Sequence, residues 1–221
     1  MKKTLFIPPQ KTPYFSLPAH RITWEQDLSH LKKGLSQKEM QLFLDLYTRA
    51  QENPKKVKKE TQDFLCNHPG HPEILNLLSF ICLQTRDTKQ ANRLIRENYT
   101  KNPQYLFARI NYAQLCLTRK QGQKIPDIFN KKYNLPNLYP GKTTFHVSEF
   151  RGFMVVMGLY YLTLGKRQTA EGYHYLAYRV DPNHPNTKSL EKKLYHKKPH
   201  KLLMPIILKK LFQLTNRVKM G

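Results

Sequence analysis

Asparagine–proline and aspartate–proline steps divide this chain, at Asn53-Pro54, Asn102-Pro103 and Asp181-Pro182. Each joins a residue suited to caps and turns to one that has no amide hydrogen and cannot continue a helix already under way. Between the steps, large apolar residues recur at helical spacing, as at Met40, Phe43, Leu44 and Tyr47. Ser36-Gln37-Lys38-Glu39 is a capping box that opens that helix. Thr23-Trp24-Glu25-Gln26 is another, predicting a short helix that stops at Gly34. Glycine is scarce, 9 residues against 15 prolines, which disfavours a hairpin-rich β fold. These signals predict antiparallel helix pairs.

The sharpest pattern lies between Gly152 and Pro182. Gly158 and Ala170 are small where two helices must approach closely. Tyr161 is sized to fill the space between neighbouring pairs. Gly165 suits a turn that other residues avoid, Ala177 is small again, and Pro182 closes the unit. This set resembles the tetratricopeptide repeat. The same frame shifted back to Pro103 carries Leu75, Leu78, Ser79, Cys82 and Ala91, with Arg86 at the turn and Asn98 at the second small position. A third frame, 34 residues on, has Tyr112, Ala113 and Cys116. Its second helix is interrupted by Pro126, Pro136, Pro140 and Gly141, and the next unit starts 45 residues later. Residues 121–147 therefore predict a short helix over Ile125–Tyr133 and an inserted loop. Residues 36–68 form a more degenerate pair, with Leu44, Val57 and Phe64 facing its neighbour.

The resemblance implies an all-α fold: a short right-handed solenoid of antiparallel helix pairs over residues 36–196. A Pro-rich extended segment and short helix (1–35) precede it, and a basic amphipathic helix (197–221) follows. It also implies a concave groove lined by the first helices, at Phe80 and Leu83, then Phe107, Ile110 and Leu117, then Val155, Leu159 and Leu162. Family members that clamp a carboxylate place Lys, Arg and Asn there; this groove is apolar. A peptide or helix held by side-chain anchors suits it, as in the helical-repeat chaperones of bacterial secretion systems, which the chain also resembles in architecture. The resemblance thus implies a scaffold, adaptor or small chaperone without catalytic activity. Leu5, Ile7, Tyr14 and Phe15 in the N-terminal segment are candidate internal covers for the groove.

The charge balance is extreme: 38 Lys and Arg against 15 Asp and Glu, a formal net charge of +23. It points to an acidic protein partner or another polyanion. Lysine outnumbers arginine, and arginine is the usual bidentate reader of phosphate and guanine, so specific nucleic-acid recognition is disfavoured. The clusters Lys55, Lys56, Lys58, Lys59 and Lys209, Lys210 fall on second helices or the C-terminal segment. They predict a basic convex surface with nonspecific nucleic-acid affinity at low salt. Residues 197–221 interleave Leu202, Ile206, Leu211 and Phe212 with lysines, a pattern that suits an anionic membrane surface or a cap on the last repeat.

Nothing in the chain assembles a reaction centre or a small-molecule site. Pro140-Gly141-Lys142-Thr143-Thr144 resembles the end of a phosphate loop but has Pro136 where that loop needs glycine. Cys66, His68 and His71 are close in sequence but fall at a predicted turn with no second ligand pair, so no metal or cofactor is expected. Cys66, Cys82 and Cys116 are odd in number and unpaired in spacing. With no signal peptide at the N-terminus, they predict reduced thiols in the cytoplasm.

Overall fold

The structure is a computed structural model and describes residues 4–25, 31 and 34–195. Helices α1 (Gln37–Glu52) and α2 (Pro54–Asn67) form the first pair. Helices α3 (Pro72–Gln84) and α4 (Thr88–Lys101) form the second. Helix α5 (Leu106–Thr118) opens the third. Helices α8 (Val147–Thr163) and α9 (Arg167–Val180) form the last, followed by α10 (Pro185–Tyr195). The expected helix over Thr23–Gly34 falls largely outside the described residues. The expected helix over 197–221, with Lys209 and Lys210, lies wholly outside them.

The repeat frame is written in the backbone of three turns. Arg86, Lys120 and Gly165 all take left-handed conformations, with φ of 63°, 58° and 71°. Each donates its N–H to the carbonyl three residues back: Leu83, Leu117 and Leu162, all at 3.1 Å. The following residue donates to the carbonyl five back: Asp87 to Cys82 (2.8 Å), Gln121 to Cys116 (2.9 Å), Lys166 to Tyr161 (2.9 Å). This is the Schellman closure of a helix C-terminus, satisfying carbonyls that the helix leaves unpaired. Glycine holds the position once; twice a cationic residue accepts the strain. The chain is a short array of antiparallel helix pairs closed by a recurring turn.

Packing follows from the small residues. Ala91, Ala170 and Ala177 are fully buried, as is most of Ser79. Gly158 has a more specific role than a general close approach. A Cβ there would stand 2.6 Å from Leu190 Cδ2 on α10 and 3.5 Å from the Ala170 carbonyl. Tyr161 stacks on Tyr173, with ring centroids 5.4 Å apart. Pro182 follows Asp181, the C-cap of α9. Asn98, where the repeat prefers a small residue, is buried and hydrogen-bonded at both ends of its amide. Its amide donates to the Pro72 carbonyl (2.9 Å) and its oxygen accepts from Asn102 (2.9 Å), which tie α4 to the start of α3.

The third pair has no long second helix. The expected helix over Ile125–Tyr133 is instead α6, Ile125–Ile128, because Asn130 and Lys131 turn left-handed at φ 52° and 56°. A four-residue α7 (Leu135–Leu138) and strand β5 (Thr144–His146) follow. The N-terminal segment supplies the missing layer. Strands β1 (Thr4–Ile7) and β4 (His20–Thr23) pair antiparallel, and β4 pairs parallel with β5, giving the order β1-β4-β5. Strands β2 (Gln10–Thr12) and β3 (Phe15–Leu17) form a separate hairpin. Ile7, Leu17, Ile22 and Phe145 from this layer bury in one cluster with Phe129, Phe150 and Phe153. Buried Arg109 secures the insertion, donating to the Ile128 carbonyl (3.1 Å), the Gln104 side chain (3.1 Å) and the Pro103 carbonyl.

Candidate partner-binding face

The first helices α3, α5 and α8 should present the groove. Phe80, Phe107, Leu117, Leu159 and Leu162 are half-buried on them, and Leu83 is 48% exposed. These six remain able to touch a partner. Ile110 and Val155 do not: they are 4% and 2% exposed. Ile110 packs on α8 at Gly152, where a Cβ would meet its methyl groups at 3.3 and 3.4 Å. The cause is the absent second helix of the third pair, which lets α5 and α8 close on each other. These two residues therefore belong to the core rather than to a binding surface.

Polar groups border the apolar face on its N-terminal side. Asn111 donates to Asn76 across α5 and α3 (2.7 Å). The Tyr105 hydroxyl donates to Glu73 (2.5 Å). Burial raises the Tyr105 phenol well above its ordinary value, and the Glu73 carboxylate beside it adds to the rise. The face is thus mixed in character along this border.

The N-terminal anchors divide between α9 and the cluster shared with α8. Phe15 sits on α9, a second helix, with its ring edge-on to Tyr173 (5.0 Å) and directly over Gly172. Tyr14 is 53% exposed; its backbone is held, the carbonyl accepting from Thr169 (2.8 Å) and the N–H donating to the Thr12 hydroxyl (3.3 Å). Ile7 is buried and Leu5 partly so, both in the cluster beneath the sheet.

The lysine cluster on α2 is not uniformly free. Lys55 and Lys56 are exposed. Lys59 pairs with Asp63 one turn on (2.9 Å). Lys58 reaches Asp87 at the start of α4 (2.8 Å), and the shared hydrogen bond holds the ammonium above, and the carboxylate below, its ordinary value. Lys58 therefore joins two pairs. Sequence reasoning missed this, because the partner is 29 residues away.

Histidines near turns are also partly buried rather than solvated. His68 pairs with Glu39 (3.0 Å), and burial pushes His71 below its ordinary value. Among the described residues no three His, Cys, Asp or Glu side chains form a group able to hold a metal. Cys82 and Cys116 are buried free thiols and Cys66 is exposed.

No family model and no curated protein matches the chain. Solved structures do. One, titled "Functional Characterization of Pseudomonas Aeruginosa pilF", shares 18% identity over 72% of this chain and 67% of that one, with a TM-score of 0.49. Another, titled "MamA RS-1 ArsTM double mutant", shares 14% identity over 72% of this chain and 93% of that one, with a TM-score of 0.45. The three identical turns and the paired helices around them make this chain a short tetratricopeptide-like array carrying an added β layer.

Proposed function

We propose that this protein is a non-enzymatic interaction module that holds a helix or extended peptide of a protein partner on its first-helix face. A helical array of this kind presents extended surfaces suited to such binding. One observation carries the reading. Corresponding positions on three successive first helices, Leu83, Leu117 and Leu162, keep apolar side chains half-buried or exposed. Phe80 and Phe107 are the aromatic anchors there, the residue type that most often dominates a binding surface. The surplus of cations favours a partner that is acidic overall. Scaffold, adaptor and small chaperone are all versions of this activity.

The test is affinity purification of the full chain at moderate salt after nuclease treatment, beside a Phe80→Ser/Phe107→Ser variant. A protein partner that survives nuclease and loses at least about tenfold in retention on the variant, at an unchanged melting temperature, supports the reading. Partners that vanish with nuclease, or that bind both proteins equally, overturn it.

A further inference from the structure

The three Schellman turns lie along one edge of the array, where the first helices α3, α5 and α8 end. Neighbouring turns are linked: Lys58 at the start of α2 bonds Asp87 in the α3–α4 turn, and Gly122 after α5 packs against Thr163 at the end of α8. Residues 84–89, 118–124 and 163–167 supply seven Lys and Arg, of which Arg167 pairs with Glu171 (3.0 Å), against a single carboxylate, Asp87. That carboxylate is already held by Lys58. Arg86, Lys89, Arg119, Lys120 and Lys166 are exposed, and Lys55 and Lys56 extend the row. The opposite edge carries the turns at 67–72, 101–106 and 180–185. Its Lys101 pairs with Glu97 (2.8 Å) and its Asp181 with Arg151 (2.7 Å), so that edge is close to neutral.

Two further observations say what kind of anion fits. First, the exposed large aliphatic side chains of the described residues, Leu83 and Leu164, both 48% exposed, flank these turns; the other exposed large hydrophobics are aromatic and are borne by other elements. Aliphatic groups set among lysines and arginines suit a lipid surface. A single-stranded nucleic acid would call for aromatic faces there instead. Second, the described chain ends at this edge. The Arg167 guanidinium lies over the Tyr195 ring at 5.6 Å, which brings the end of α10 to the start of α9. Residues 196–221 continue from that point with seven Lys and Arg and no Asp or Glu.

We propose that this turn edge is a docking surface for an anionic lipid bilayer. The contact is peripheral, since no helix among the described residues is long and apolar enough to cross a membrane. The cations supply attraction to anionic headgroups, and the leucines reach the boundary with the acyl chains. Leu83 stands where the edge meets the partner-binding face, so a membrane-bound molecule would present that face alongside the bilayer.

The experiment is co-sedimentation of the full chain with phosphatidylcholine vesicles, either pure or containing about a third phosphatidylserine. One variant carries Arg86→Glu, Lys120→Glu and Lys166→Glu. A control carries Arg21→Glu, Lys38→Glu and Lys188→Glu, exposed positions away from that edge. Each lowers the net charge by the same amount, and melting curves check that both fold. The expected result is binding to the phosphatidylserine vesicles alone. At about fivefold per cation, the edge variant loses roughly 100-fold or more in affinity. The control loses much less. Equal losses in the two variants would reduce the effect to net charge and overturn the proposal. So would equal binding to the two kinds of vesicle, or binding to single-stranded RNA that falls with the edge variant while vesicles are ignored. Substitutions at Phe80 and Phe107 leave vesicle binding unchanged, which separates this surface from the partner-binding face.

Discussion

Gly172→Ala tests how the N-terminal layer is fastened to the repeats. In a helix interior, replacing glycine by alanine normally stabilises by about 1 kcal/mol. Gly172 lies inside α9, so the local expectation is a gain. The structure reverses it. A Cβ at 172 would stand 2.8 Å from Phe15 Cγ and 2.9 Å from Cδ2. Carbon atoms pack comfortably at roughly 3.5 Å, so the ring must retreat by about 0.7 Å. Cγ is the root of the ring, and it can retreat only with the β2–β3 hairpin or by leaving its rotamer. Overpacking of this kind costs about 1–3 kcal/mol. The net effect in the wild-type background is a loss of about 1 kcal/mol. In a Phe15→Ala background the clash is gone, and Gly172→Ala should regain its intrinsic 1 kcal/mol, roughly. The coupling between the two sites is then about 2 kcal/mol. Urea titrations of the four proteins would measure it, followed by far-UV circular dichroism and by fluorescence of Trp24. That residue is the single tryptophan and packs against the core that the N-terminal layer helps to form. Stabilisation by the same amount in both backgrounds would refute the contact. A Trp24 transition well ahead of the helical one would show that the layer opens as a separate unit.

Two further outcomes follow from single residues. Arg86→Gly and Lys120→Gly should each stabilise by about 1 kcal/mol, because both positions are left-handed, and Gly165→Ala should cost about as much, all read from denaturant midpoints. His20 is buried against Phe150 (ring centroids 5.0 Å), and burial drives its pKa down to about 4, against a weaker upward pull from the Pro18 carbonyl. An unfolded histidine titrates near about 6.5, so between the two values only the unfolded chain takes the proton. Stability should therefore fall as pH drops from about 6.5 to about 4, by up to about 3 kcal/mol from this residue. His20→Leu should flatten that part of the stability–pH curve, and an unchanged curve would contradict the assignment.

The helical part of this fold is legible because its determinants are close in sequence. The Ser36 capping box forms as expected, with Ser36 N–H donating to Glu39 (2.7 Å). Pro54 opens α2, and the frame based on Gly165 finds Arg86 and Lys120 in the same backbone state. The candidate site was less legible. Counting along a repeat pointed to Phe80, Leu83 and Phe107, which stay accessible, yet the same count placed Ile110 and Val155, which are buried, in the groove. Lysines counted as surface charge include Lys58, whose partner is in another pair. The pairing of β4 with β5 joins residues more than 120 positions apart, and no local signal announces it.

What the sequence determined by itself, then, is the ladder of helices and turns, since each is closed by hydrogen bonds three to five residues long and by side chains beside them. Tertiary structure decided which faces of that ladder remain open. A β layer gathers its hydrogen bonds from distant strands, and burial depends on which surfaces meet. Only in three dimensions does the N-terminal segment pair with β5 and bury against α8 and α9, α5 close on α8, and three separate basic turns become one edge.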